Sequence, residues 1–338
     1  MITLYDPFEG MRFGPGRCFL TGEPVGPKAT VPVFGDWLQA AYGLAERPLR
    51  LLDQSQTTFG ALRLPLAPAL RPRLAALEAE VQAAALAGPA ALRALPPARL
   101  WQWLGKMFYG IFVTELLQQQ EPLIKPEYPL AENAQLVRRF QAFFQLLQGL
   151  RVPTDYADFV PGSVFVLEAD AAYEAPAFEL DDDLNTLVFS LKLGSAVLVV
   201  TLIDVGLIGQ AMRRVYAEAQ RPLHPAQVAE FKARAYYAAY LLAVVPDVYP
   251  RRPTPADAAG AELVLDALVD DVTAAAFSPW DNLAYAHTLA GLWPRWGLTD
   301  THILHNPFQP LSLLYGAEGA SQSAAVAAAQ LAGLGGES

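Results

Sequence analysis

Cysteine is almost missing from this chain. Cys18 is the only one among 338 residues, so no disulfide can close within it and no four-thiolate zinc site can be assembled from one copy. That usage fits a reducing cytoplasm, the expected location. Histidine is scarce too: the four are His224, His287, His302 and His305, and residues 1–100 contain none. Charged residues make up 17%, with 24 Lys and Arg against 34 Asp and Glu. The formal charge of −10 and pI of about 4.9 count against nucleic-acid binding, which relies on neutralising phosphates with Lys and Arg. A partner is therefore expected to be another protein, and basic partners are favoured.

Several motifs are absent as well. The chain has neither G-x-x-x-x-G-K-[ST] nor G-x-G-x-x-G to cradle phosphates, no G-x-S-x-G elbow and no H-E-x-x-H. Cys18 has no nearby His to lower its pKa. Met1 to Pro7 carries no basic flank or long apolar run, so no secretory signal is expected. The longest apolar stretch, Leu184 to Ile208, is interrupted by Lys192, Gly194, Asp204 and Gly206. Its β-branched run suits paired strands rather than a membrane helix, and a soluble protein without cofactor is expected.

What is present is a hydrophobic share of 53%, ample for a packed core. The length favours two domains or one large elaborated domain. Glycine and proline punctuate residues 1–65, with a short helix expected after Gly35 through Trp37, Leu38 and Tyr42. Apolar residues at helical spacing predict helices over Pro72–Ala87, Ala98–Leu117 and Glu132–Leu150. The third-to-fourth spacing of Leu100, Leu104, Phe108, Ile111, Phe112 and Leu116 reads as one apolar stripe. The period then changes. Ser163–Ala169 and Ala177–Leu180 read as strands, and Thr186–Leu193 with Ala196–Ile203 as a hairpin around Gly194-Ser195, whose first position needs positive φ. Helix returns over Gln210–Ala219 and Pro225–Val245, the latter with Val228, Phe231, Ala235, Tyr236 and Ala239 on one side. Segments 257–275 and 280–292 also read as helical, and the Ala/Gly-rich stretch from Ser323 as a weak helix or a frayed, weakly ordered tail.

Near the N-terminus, Cys18-Phe19-Leu20-Thr21-Gly22 has the outline of a C-x-x-C-G knuckle. Lys28-Ala29-Thr30-Val31, Phe34-Gly35-Asp36-Trp37-Leu38, Leu64-Pro65-Leu66-Ala67-Pro68-Ala69-Leu70 and Leu74-Ala75-Ala76-Leu77-Glu78 follow it. In order and spacing this first quarter of the chain resembles the treble-clef HNH endonuclease group. In that group two C-x-x-C knuckles bracket a K-E-H-I-x-P-x-W-L element, and the second opens a helix carrying L-E. Carried over, the resemblance puts Cys18 at the first zinc ligand, Thr21 at the second, and Leu66 and Ala69 at the third and fourth. Thr30 falls near the catalytic His and Leu70 at the Asn. A structural zinc needs four N or S donors, and hydrolysis needs a water-activating His and a metal. The resemblance therefore implies a decayed, metal-free module in which Leu66, Ala69 and Leu70 fill the vacated volume.

Elsewhere, His302 and His305 have an H-x-x-H spacing that would share a helical face, with Asp300 or His287 available as a third ligand. Glu179, Asp181, Asp182 and Asp183 form an acidic run that reads as a hydrated hairpin tip, or as a hard-cation site. The aromatic cluster Trp101, Trp103, Phe108, Tyr109 and Phe112 reads as core. Tyr236, Tyr237 and Tyr240, and the Trp293-Pro294-Arg295-Trp296 patch, read as packing or interface residues. The expected fold is α+β, with a small metal-free treble-clef-like region at 1–95, helices packed on a mostly antiparallel sheet at 96–322, and a tail at 323–338. The expected function is a non-catalytic binding or scaffold protein, alone or as one subunit of a larger assembly. Two alternatives remain open: a metal-dependent nuclease or phosphodiesterase using Asp300, His302 and His305, and a DNA-recognition module using Arg63, Arg71 and Arg73.

Overall fold

The computed structural model describes residues 4–10, 12–51, 56–118, 133–244, 246–268, 276–306, 308–316 and 318–335. The fold is α+β, and the chain forms two compact units, each discontinuous in sequence. The first comprises Met1–Leu86, Leu95–Pro161 and Pro246–Val269; the second comprises Ala87–Ala94, Gly162–Val245 and Asp270–Ser338. Sequence alone placed a boundary at 95; residues 95–161 and 246–269 instead belong to the first unit and 87–94 to the second.

The first unit is built around one long helix. Strand β1 (Thr30–Pro32), helix α1 (Asp36–Tyr42), the pair β2 (Pro48–Arg50) and β3 (Gln56–Thr58), and strand β4 (Arg63–Pro65) lead into α2 (Arg71–Ala87). β1 and β4 pair antiparallel, with Thr30 opposite Pro65. Helix α4 (Pro97–Gln118) is buried at every position from 101 to 114, so the expected one-sided stripe is in fact a helix enclosed on all sides. It packs on α5 (Ala134–Leu147) through an aromatic cluster in which Phe112 and Phe140 stack at 4.1 Å and Phe108 meets Phe143 edge-on at 5.6 Å. α5 ends in a 3₁₀ turn over Gln148–Leu150, within the expected helical span. Strand β5 (Thr154–Asp155) joins β12 (Leu263–Leu268), which pairs antiparallel with β11 (Asp247–Arg251). The helix expected over 257–275 is thus a strand from 263 to 268; residues 269–275 lie outside the described residues. The Leu-Val-Leu-Asp-Ala-Leu run has helix-compatible composition, and its pairing with 247–251 overrides that local preference.

The second unit has a five-stranded sheet in the order β10-β6-β9-β8-β7, from Pro222–Leu223, Val164–Ala169, Ala196–Thr201, Val188–Leu193 and Phe178–Asp183. All its pairs are antiparallel except β10 with β6. Gly194 takes φ 59° between β8 and β9, as the hairpin turn required. Helix α8 (Pro225–Leu241) lays Val228, Phe231, Ala235 and Ala239 on the sheet. Its opposite face, Ala226, Ala229, Ala233, Tyr237 and Leu241, packs on α9 (Asn282–Leu292), on Trp293 and on α11 (Ala324–Gly335). The expected tail is therefore a helix with Ala327 fully buried. Helices α3 (Pro89–Ala94), α6 (Leu207–Ala211), α7 (Arg213–Glu218) and α10 (Asp300–Ile303) complete this unit. Among the described residues, no helix is long and apolar enough to cross a membrane.

Candidate functional site

The Cys18 turn is a tight one. Cys18 N–H donates to Glu23 O and Gly22 N–H to Cys18 O, both at 2.8 Å. Gly22 has φ +69°, and a Cβ there would sit 2.4 Å from the Tyr5 ring, so glycine serves both backbone and space. Phe19 N–H donates to Pro65 O at 2.9 Å, which ties the turn to β4. Cys18 and Leu66 are fully buried. Thr21 is half-buried, and its hydroxyl accepts from Glu23 N–H at 3.3 Å. Ala69, however, is exposed and Leu70 only half-buried. The expectation that both fill a vacated metal volume is corrected: Pro68–Leu70 is a 3₁₀ turn, and there the chain leaves the interior. Thr30 Oγ1 accepts from Arg63 Nε at 2.8 Å, and Arg71 donates to Thr30 O at 3.2 Å. Arg73 is spent inside the fold, on the carbonyls of Gly149, Leu150 and Val152 at 3.0, 3.0 and 2.7 Å.

Two residues of the resemblance, Trp37 and Glu78, meet in the fold. The Glu78 carboxylate accepts from Trp37 Nε1 at 3.0 Å, from Trp103 Nε1 at 3.1 Å, and from the buried ammonium of Lys106. The two indoles lie nearly parallel, 6.1 Å apart. Burial would raise this carboxyl, but the Lys106 charge and the three donors outweigh it and hold Glu78 below the usual carboxylate range. The group stands beside a cavity of about 390 Å³ that Asp36, Arg71 and Gln82 also line. With its lone pairs engaged and its proton lost at neutral pH, Glu78 acts as a brace between α1, α2 and α4 rather than as a general acid. Gly35 permits that approach: a Cβ there would lie 2.6 Å from Glu78 Oε2 and 3.0 Å from the Trp37 ring. Gly35→Ala is accordingly expected to destabilise the protein by about 1–3 kcal/mol, read from the urea midpoint; an unchanged midpoint would mean that the brace adjusts freely.

The second unit holds the larger cavity, about 480 Å³, within the range of small-ligand pockets. Arg234 stands on α8 one turn after Glu230 and donates to Glu230 Oε1 through Nε at 3.2 Å and one Nη at 2.8 Å. Glu230 is fully buried and also accepts from Ser312 Oγ at 2.7 Å, Leu313 N–H at 2.7 Å and Leu314 N–H at 2.9 Å. The guanidinium carbon lies 5.4 Å from the Tyr285 ring centre and 5.5 Å from that of Tyr315. Burial opposes the Arg234 charge, and its ionic and hydrogen-bonded contact with Glu230 helps to more than restore it, so its pKa stays above the ordinary arginine value. Trp280, about half exposed, and Phe308, 92% exposed, present aromatic surface at this cavity. The Tyr285 hydroxyl is buried with no hydrogen-bond partner among the described residues. Burial, followed by the Glu230 charge, raises its pKa, so it stays protonated.

The C-terminal histidines are not gathered. α10 ends at Ile303, so His305 lies beyond the helix and the shared face does not form. His302 Nδ1 is turned onto Thr299 N–H at 3.2 Å, as part of a capping box. Asp300 pairs instead with His287, at 3.4 Å. Among the described residues, no group of three or more His, Cys, Asp or Glu is placed to hold a metal ion. The acidic run is no hairpin tip either. Glu179 to Asp183 belong to edge strand β7, opposite Lys192 to Val188, and Asp181 is paired with Lys232.

No protein-family model, curated protein or solved structure matches the chain. Neither Glu230 nor Arg234 was visible as a site residue in the sequence. Their i, i+4 spacing marks any salt-bridged helix surface; the segment that encloses Glu230 lies 82 to 84 residues away.

Proposed function

We propose that this chain is a non-catalytic binding protein and that the Arg234 cavity is where it binds. One observation carries this: an arginine fixed by a fully buried carboxylate and flanked by two tyrosine rings faces a cavity with exposed Trp280 and Phe308. Fixing a cation in this way removes its conformational freedom before a ligand arrives, which lowers the entropic cost of binding. Large exposed aromatics beside such a group are the usual signature of a recognition surface. The non-catalytic part is supported at two carboxylates, since Glu78 is engaged by three donor groups and Glu230 by four. General acid–base work needs a free lone pair and a proton that leaves near neutral pH. The N-terminal turn at Cys18, the β1–β4 pair and the α2 helix with Leu77-Glu78 support descent from a treble-clef module whose ligands have been lost.

The test is a ligand-observed NMR screen of small fragments against the wild type and a Trp280→Ala/Phe308→Ala double variant. Hits should compete for one location, disappear with the double variant and remain chemically unaltered on long incubation. Hits indifferent to both substitutions, or fragments turned over by the protein, would refute the proposal.

A further inference from the structure

We infer that the Arg234 cavity takes a small carboxylate carried on an apolar ring; this rests on the cavity being the binding site. The argument begins with hydrogen-bond accounting. Three acceptors of the lining side chains are already used within the protein. Asn282 Oδ1 accepts from Trp280 Nε1 at 3.0 Å, and Asn306 Oδ1 accepts from Phe308 N–H at 3.0 Å. Ser312 Oγ accepts from Tyr315 N–H at 3.0 Å while it donates to Glu230. Gln322 Oε1 is an acceptor without a partner among the described residues, but it is closed off from solvent. The donors are less committed. Arg234 spends Nε and one Nη on Glu230, and its other Nη has no partner among the described residues. The Asn306 amide N–H groups are in the same position, whereas the Tyr285 hydroxyl, like Gln322 Oε1, is closed off from solvent. A ligand that fits this inventory brings acceptors and few donors, which a carboxylate does and a sugar, rich in both, does not.

Charge fixes the rest. Among the described residues, the lining contains one cation, Arg234, and no acidic side chain. Glu230 stands behind the guanidinium, fully buried, with its charge shared among Arg234, Ser312 Oγ and the amides of Leu313 and Leu314. Because Glu230 already counters Arg234, the pair offers a ligand directed N–H donors without surplus positive charge, which suits a monoanion better than a dianion. A phosphate monoester near neutral pH carries close to two charges, and the second would remain unpaired on a chain of net charge −10. The rings of Trp280, Phe308 and Tyr315 supply faces for an apolar body. Such a face favours a flat ring over an open chain, which would lose more rotational freedom on binding.

The probes are benzoate, benzamide and phenyl phosphate, measured by ligand-observed NMR on the full chain. A ligand of this size is expected to bind in roughly the millimolar range. Benzoate should bind about 10-fold more tightly than benzamide or phenyl phosphate, as expected for one charge-assisted contact. Arg234→Lys keeps a cation for Glu230 and should weaken benzoate about 10-fold and benzamide by clearly less. Trp280→Ala, at an exposed position, should weaken both. Acid against amide needs no variant, so a misfolded Arg234→Lys protein does not block the test. If benzamide matches benzoate and both depend on Trp280, the cavity stands and the carboxylate preference falls. Phenyl phosphate binding as tightly as benzoate overturns the monoanion argument. If none of the three binds, or binding ignores Trp280→Ala, the cavity itself falls as the binding site.

Discussion

Glu230→Gln lowers stability by about 3–5 kcal/mol, the range for breaking a buried ion pair from one side. The reason is the number of donors aimed at one side chain. Arg234, Ser312 Oγ, Leu313 N–H and Leu314 N–H all point at the two Glu230 oxygens, and the carboxylate has no exposed surface. A glutamine has one oxygen, so its amide N–H groups must face at least one of these donors, and Arg234 is left without its counter-charge. Adding a value for each lost bond would overshoot, because members of one network do not contribute independently. The exposed Arg138–Asp247 pair, with side chains 76% and 67% accessible, provides the contrast: Arg138→Ala should move the urea midpoint by no more than about 0.5 kcal/mol equivalent. Glu230→Leu/Arg234→Met should recover little of the loss, because the buried Leu313 and Leu314 amides are left without an acceptor. A cost for Glu230→Gln below about 1 kcal/mol would mean that the pocket floor is wetter or looser than described.

The second large effect is at Glu78 and depends on pH. Its carboxyl is held below the ordinary value when folded, mainly by Lys106, Trp37 and Trp103 acting against burial. A group depressed in this way contributes stability that is fully present above the unfolded glutamate pKa of about 4.3 and lost as pH falls through the lower, folded value. Acid unfolding should therefore steepen below about pH 4. In Glu78→Gln that dependence should be absent, at a cost of about 3 kcal/mol at neutral pH because the buried Lys106 loses its partner. Parallel stability curves for wild type and variant from pH 7 to 3 would show that Glu78 is not held in this way. Lys106→Met should be similarly costly at pH 7, since it leaves the carboxylate with two indole donors and no cation.

Much of the framework could be read from local pattern. The side of α8 carrying Val228, Phe231, Ala235 and Ala239 faces the sheet as its spacing required, and Gly194 supplies the positive φ of the β8–β9 turn. Pattern failed where partners are remote. The α4 spacing showed one stripe because Gln102, Lys106 and Thr114 are polar, yet each is buried against other chain segments or, for Thr114, bonded to Gly110 O. The 263–268 strand is fixed by residues 247–251 and 154–155. The His302–His305 spacing promised a shared face that a four-residue helix cannot supply. The cavity was least legible of all. Trp280, Asn306 and Arg234 lie in separate stretches of the sequence, and only tertiary packing makes them one surface.

The interleaving of the two units has a consequence for biosynthesis. Thr154 pairs with Leu263 in the three-stranded sheet of the first unit, so that strand emerges from the ribosome well before its neighbour exists. The gap is roughly 110 residues, or on the order of 5–20 s of translation. Through that interval the α4–α5 aromatic cluster can consolidate while the edge at Thr154 stays open. The whole five-stranded sheet, from Val164 to Leu223, is synthesised in the meantime. A nascent chain of this design finishes its later-starting half of sheet structure first, and the earlier half closes only when the returning segment arrives.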